Sequence, residues 1–189
     1  KSWRCEWKRG DFPFYYVQLA PFNYNEVDMG SYVRDVQRRS LDIQNTGMAV
    51  TMDIGNVKNI HPTNKVDVGN RLALWALVKD YGKDFVYSGP LYKSIEIDGK
   101  EAALNFSSIG SGLMAKDKLA TFEIAGSDQI FYPAKAKIVG DQVVVRSNKV
   151  KEPVAVRYAF RNTDEASLFN KEGLPAPSFR TDDWKIEIK

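Results

Sequence analysis

Residues 48–82 read MAVTMDIGNVKNIHPTNKVDVGNRLALWALVKDYG. An apolar run of strand length, MAVTMDI, gives way to a polar loop. A long segment, 65–81, follows, in which Val68, Leu72, Trp75 and either Ala76 or Lys79 recur at helical spacing, with Leu74, Leu77 and Val78 widening the stripe. Gly82 supplies a helix stop. The stretch therefore reads as a buried strand, a loop and an apolar helix that packs deeply. The loop carries His61, the only histidine among 189 residues. Histidine is the side-chain type that changes charge near neutral pH without perturbation, so a catalytic reading passes through this loop.

Working toward the N-terminus, residues 12–19, FPFYYVQL, form a continuous apolar and aromatic run. Such a run suits a strand covered on both faces, as in a parallel sheet. Between the two strands lies an amphipathic helix. Ser31 is placed to cap it. Tyr32, Val36 and Ile43 fall near one face, with Val33, Gln37 and Ser40 or Leu41 beside them. Arg34, Arg38 and Arg39 point elsewhere, and Asp35 and Asp42 read as solvated helix charges. Asn45-Thr46-Gly47 is the expected stop. Strand, helix, strand implies a right-handed crossover and parallel strands. The His61 loop then lies beyond the carboxyl end of a parallel strand, the edge where open α/β sheets place ligands.

Working toward the C-terminus, the periodicity changes to two. Segments 93–97, 102–106, 120–124, 135–139, 142–146 and 155–160 are strand candidates. Asp98-Gly99 and Gly140-Asp141 are hairpin turns. Short strands with regular turn signals suggest an antiparallel sandwich. The tail FNKEGLPAPSFRTDDW, 169–184, reads as irregular coil over a surface. The shift in composition at Tyr87-Ser88-Gly89-Pro90 marks the expected boundary. Residues 1–86 are then an α/β portion, and 87–189 a jelly-roll-like β-sandwich.

Composition narrows the function classes. Lys plus Arg, 27, nearly balances Asp plus Glu, 24, with no basic stripe interleaved with aromatics, so nucleic acid is not an expected partner. No apolar run approaches the roughly 20 residues that span a bilayer, and no membrane partner is expected. The first residues, KSWRCEWKRGDF, lack a signal-peptide core and an initiator Met and read as an internal boundary. One cysteine, Cys5, excludes an internal disulfide framework. It reads as an inert or buried thiol, with a link to another piece of chain as the alternative.

His61 is followed by Pro62 and then by a helix. The proline restricts the residue before it, so the ring is set by stiff neighbours, as a general base requires. The alternative is a histidine that caps the helix or completes a loop hydrogen bond. No serine occupies a nucleophile elbow: Ile109-Gly110-Ser111-Gly112-Leu113 has no strand before it and no helix after it. It reads with Ser107 and Ser108 as loop. Cys5 has only Arg4 and Lys8 nearby to activate a thiolate. One histidine and one cysteine leave only carboxylates for a metal, and Asp182-Asp183 reads as an exposed acidic turn. No metal or cofactor is expected. Most of the 4 Trp, 9 Tyr and 10 Phe read as core, although exposed rings could stack on sugars.

The series FPFYYVQLAPFNY, NTGMAVTMDIGN, NIHPTNKVDVGNRLALWALVKDYG, YSGPLYKSIEIDG, PVAVRYAF and LFNKEGLPAPSFRTDDW resembles, in order, the C-terminal half of the sialate O-acetylesterase family. Those are serine esterases of the SGNH hydrolase type. The resemblance implies the C-terminal portion of a parallel-sheet SGNH hydrolase domain followed by the sandwich. It implies an enzyme that hydrolyses acetyl esters on sialic acid or similar acetylated sugars. His61 matches the catalytic histidine. The nucleophilic serine and the oxyanion-hole Gly and Asn belong to the first half in such enzymes, and none of those motifs is present here. The N-terminal half of the same enzyme is thus the implied partner, and this chain alone is expected to be inactive. The usual setting of the family, secreted, periplasmic or lysosomal, is implied as well. One departure concerns the group that orients the histidine. Many such hydrolases have Asp three residues earlier; here Lys58 stands there, leaving Asp53, the Asn59 amide or a backbone carbonyl. A non-catalytic carbohydrate-binding or structural sandwich is the competing reading.

Overall fold

Two strands expected to pair in parallel do so. In the computed structural model, β1 (Phe14–Val17) runs alongside β2 (Thr46–Ala49), with Phe14 opposite Thr46 and Val17 opposite Ala49. The structure describes residues 2–24 and 28–185. Asn25, Glu26 and Val27, part of the loop expected after the first strand, lie outside them. Both strands are shorter than the runs 12–19 and 48–54. Beyond β2 the Thr51 hydroxyl donates to the Gln18 carbonyl at 2.7 Å, and residues 52–54 turn. A short α1 (Ser2–Trp7) precedes β1.

Two strands are few for a sheet buried on both faces, and β1 shows how its outer edge is met. Phe14 and Gln18 donate their N–H groups to β2-side carbonyls, so the odd-numbered residues face away from β2. There the Gln37 side chain donates to the Val17 carbonyl at 3.2 Å and accepts from the Leu19 N–H at 2.8 Å. One amide thus satisfies two edge groups that a third strand would otherwise use.

Gln37 belongs to α2 (Met29–Arg39), which departs from the sequence reading in its orientation. Its buried residues are Gly30, Ser31, Arg34 and Asp35. The apolar positions Met29, Val33 and Val36 are 36%, 44% and 64% exposed. The reversal has an electrostatic cause. Asp35 is gripped by Arg38 and Arg39 at 2.8 Å each and by Arg180 at 3.3 Å. Asp182 takes Arg157 at 2.9 Å and Arg180 at 3.3 Å. Buried charges persist when paired this densely. The helix boundaries shift too. Asp28 is the N-cap residue, and the Ser31 hydroxyl lies inside the helix, donating to the Asp28 carbonyl. After Arg39 the chain makes a 3-10 turn, Ser40–Asp42. Asn45, at φ 56°, takes the left-handed position expected of Gly47. Gly47 instead lies in β2, where a Cβ would meet the Trp75 ring at 2.6 Å and the Tyr15 ring at 2.7 Å.

The second long helix, α3 (Lys65–Lys79), begins at Asn64, whose side chain accepts from the Asp67 N–H. It ends at Lys79, two residues short of the expected Tyr81, and Gly82 beyond it takes the left-handed conformation, with φ +63°. It packs less deeply than its apolar stripe suggested: only Arg71 and Trp75 are buried. Trp75 donates from its indole nitrogen to the Met48 carbonyl at 2.9 Å.

The remaining strands are antiparallel. β3 (Leu91–Asp98) and β4 (Glu101–Ser107) form a hairpin. β5 (Leu113–Ala115), β6 (Phe122–Ala125), β7 (Phe131–Pro133), β8 (Lys135–Val139), β9 (Gln142–Arg146), β10 (Ala155–Tyr158), β11 (Leu168–Asn170) and β12 (Phe179–Arg180) follow. They order as β3-β4-β9-β8, β12-β10-β6-β7 and β11-β5. Alternation buries Ala102, Leu104 and Phe106 of β4 and Val143 and Val145 of β9. These pack in one cluster with Ile124, Val156, Tyr158 and Phe179, and the cluster continues into Met48, Val50 and Met52 beside β2. The tail 169–184 is therefore not surface coil. It contains the end of β11 and all of β12, and Phe169, Ala176 and Phe179 are core. Its proline and glycine content masked strands only two or three residues long.

Candidate active site

His61 lies on the loop between β2 and α3, where the sequence placed it, and it is exposed. The loop is held by its own polar side chains. The Asn56 side chain accepts from the Lys58 N–H at 2.9 Å, and the Asn59 side chain accepts from the His61 N–H at 2.9 Å. These are Asx turns, which fix backbone without regular structure. Further anchors are the Asn23 N–H on the Val57 carbonyl at 3.1 Å and Gly55 packed on Pro21, where a Cβ would come within 2.7 Å of the ring. Asn64 fastens the far end through its cap. The backbone that presents the imidazole is thus defined, while the imidazole makes no hydrogen bond or ion pair among the described residues.

Both side chains that could orient the ring are engaged elsewhere. Asp53 receives two bonds of 2.6 Å from the Arg71 guanidinium, which also donates to the Val50 carbonyl at 2.6 Å. The Asn59 oxygen holds the His61 backbone rather than its ring. Lys58 is exposed.

The other candidates are not gathered around His61. Ser107 ends β4, Ser108 and Ser111 belong to the β4–β5 connection, and Ser111 is bonded to Glu172 through both its N–H and its hydroxyl. That contact holds the exposed Glu172 carboxyl below the usual carboxylate range. Cys5 is on α1 and is exposed, so the buried form of its reading does not hold. Asp182 is not part of an exposed acidic turn: it is 6% exposed and paired with Arg157 and Arg180. No group of three or more His, Cys, Asp or Glu gathers as a metal site among the described residues.

Arg71 escaped the sequence reading, and Arg34, read there as pointing away from the packed face, is fully buried. A signal for Arg71 was present, because it precedes Trp75 by four residues and so shares the inward face of α3. A cation on the face of the core aromatic calls for a buried partner.

A search of the curated proteins finds the rat sialate O-acetylesterase, 33% identical over 191 residues, which cover 89% of this chain and 35% of that protein. The chain is a sialate O-acetylesterase homologue. Among solved structures, a carbohydrate acetylesterase from Xanthomonas citri matches with a TM-score of 0.92 and 45% identity over 97% of this chain and 44% of its own. No family model matches. The chain thus spans about a third of the length of the rat protein and under half of that of the Xanthomonas citri protein.

Proposed function

We propose that the protein is a carbohydrate O-acetylesterase acting on acetyl esters of sialic acid or similar acetylated sugars, with His61 as its general base. The observation that carries the reading is the His61 loop, a frame of Asx turns and a capped helix presenting an uncommitted imidazole beyond the carboxyl end of β2.

In this reading β1, α2, β2 and α3 are the C-terminal portion of an SGNH hydrolase sheet, residues 1–86, and residues 87–189 are the sandwich beside it. The nucleophilic serine and the oxyanion hole come from the portion of the enzyme that corresponds to the rest of its relatives. His61 takes the serine proton as the oxygen attacks the acetyl carbonyl, then returns it to the departing sugar hydroxyl. With Asp53 held by Arg71, a backbone carbonyl or a group from that other portion orients the ring. The exposed apolar face of α2, Met29, Val33 and Val36, supports a covering partner.

The test compares acetate release from an O-acetylated sugar by the protein at its natural length and by these 189 residues alone. The reading expects hydrolysis from the first and none from the second. Activity in the short chain would place the nucleophile within it, and inactivity of both would leave a carbohydrate-binding sandwich as the better account.

A further inference from the structure

Both ends of the loop that carries His61 are held by one helix. At its far end Asn64 caps α3, accepting from the Asp67 N–H. At its near end Arg71, seven residues further along α3, reaches back to Asp53 and to the Val50 carbonyl. Seven residues are about 10.5 Å of helix, so α3 acts as a rigid bar holding the two roots of the loop a fixed distance apart. Both side chains of the pair are secluded, Arg71 at 10% and Asp53 at 12% exposed. The same short segment is gripped from two other sides. Thr51 bonds to β1 through the Gln18 carbonyl, and the Ala166 N–H donates to the Met52 carbonyl at 2.9 Å.

We infer that Arg71 and Asp53 are positioning residues for His61, a clamp that sets the direction in which the loop leaves β2 and so where the imidazole meets the nucleophile. The inference rests on the reading of His61 as the base. A buried ion pair contributes little net stability against a well-packed apolar pair of the same volume. What this one supplies is geometry: three bonds of fixed direction at the root of a loop whose imidazole is held by no other described group. A planar guanidinium gives that direction where an ammonium would not. Arg71 and Asp53 touch neither substrate nor nucleophile in this scheme, and they act through the loop.

The test uses the protein at its natural length and a soluble acetyl ester. In the double variant Asp53→Leu/Arg71→Met both charges go and the volume remains, so no lone buried charge is left. Misplacement of a catalytic group by about 1 Å costs on the order of 100-fold. The clamp therefore predicts a kcat lower by about 10- to 100-fold with KM unchanged, in a protein that still unfolds cooperatively near the wild-type midpoint. Arg71→Lys, which keeps the charge and loses the fork, predicts an intermediate kcat. It decides the matter alone if the double variant does not fold. Wild-type kcat in these variants overturns the clamp, and so does a rise in KM at constant kcat. His61→Ala, assayed in parallel, separates the two layers. Loss of hydrolysis there with full activity in the clamp variants refutes the clamp alone. Retained hydrolysis in His61→Ala refutes the base and the clamp with it.

Discussion

The guanidinium of Arg34, on α2, donates from Nε to the hydroxyl of Ser178 at 3.2 Å, more than 140 residues away in the chain. It also donates to the carbonyls of Arg161 and Asn162. Arg34 is 0% exposed, and burial pushes its pKa down to about 10, still well above neutrality. One cation on α2 thus supplies donors to two separate segments of the antiparallel region. Arg34→Met removes them together and leaves buried acceptors unpaired, each costing roughly 1–3 kcal/mol. We expect a loss of about 3 kcal/mol for Arg34→Met and a smaller one for Arg34→Lys, read from urea unfolding midpoints. A change below about 0.5 kcal/mol, as at an ordinary surface site, would show that α2 is not latched in this way.

Asp164 lies close to the same latch. Burial raises its pKa to about 6, against the opposing pull of the Arg161 N–H and the Arg161 and Arg34 charges. A carboxyl whose folded pKa lies above its ordinary value of 3.8 binds its proton more tightly when folded. Its contribution is full at low pH and is lost as pH rises through about 6. Asp164→Asn keeps an acceptor for the Arg161 N–H and removes the titration. The variant should gain stability relative to wild type as pH rises from 4 to 7, and the gain should level off above that range. A difference that is constant with pH refutes the assignment.

Gly47 is required by contact rather than by backbone conformation. A methyl group there would stand 2.6 Å from the Trp75 ring, which is itself tied to the Met48 carbonyl. Overpacking of this kind costs typically 1–3 kcal/mol. Gly47→Ala should therefore lower the thermal midpoint, and pairing it with Trp75→Leu should recover part of the loss in a double-mutant cycle.

Tyr158 is fully buried in the core cluster, and its hydroxyl accepts from the N–H groups of Ser167 and Leu168 at 2.8 Å each. Tyr158→Phe keeps the ring contacts with Phe122 and Phe179 and orphans two buried donors. A loss of about 2–4 kcal/mol in denaturant unfolding is expected; an unchanged midpoint would mean that water replaces the hydroxyl.

What could be read in the sequence followed from patterns that local physics enforces. The helix beginning at Lys65, with Gly82 beyond its end, was legible because apolar spacing and a glycine stop agree there. β8 and β9 matched at both ends because a Gly-Asp turn separates two clean alternations. α2 was misread in orientation because its inward face is polar. Arg34 and Asp35 look solvated until Ser178, Arg180 and the Arg161 carbonyl, all more than 120 residues later, are brought to them. β12 was hidden in a proline-rich tail because two residues carry no period. His61 was singled out because it is the only histidine in the chain. The engagement of Asp53 by Arg71 was not, since either residue alone reads as an ordinary loop or helix charge.

The measurement that bears most directly on the central claim is acetate release from an O-acetylated sialic acid by the protein at its natural length, with and without His61→Ala. The account predicts loss of at least about 1,000-fold in kcat, as general-base and nucleophile-activating roles together entail, with circular dichroism and sugar binding unchanged. Hydrolysis within tenfold of wild type in the His61→Ala protein would contradict it.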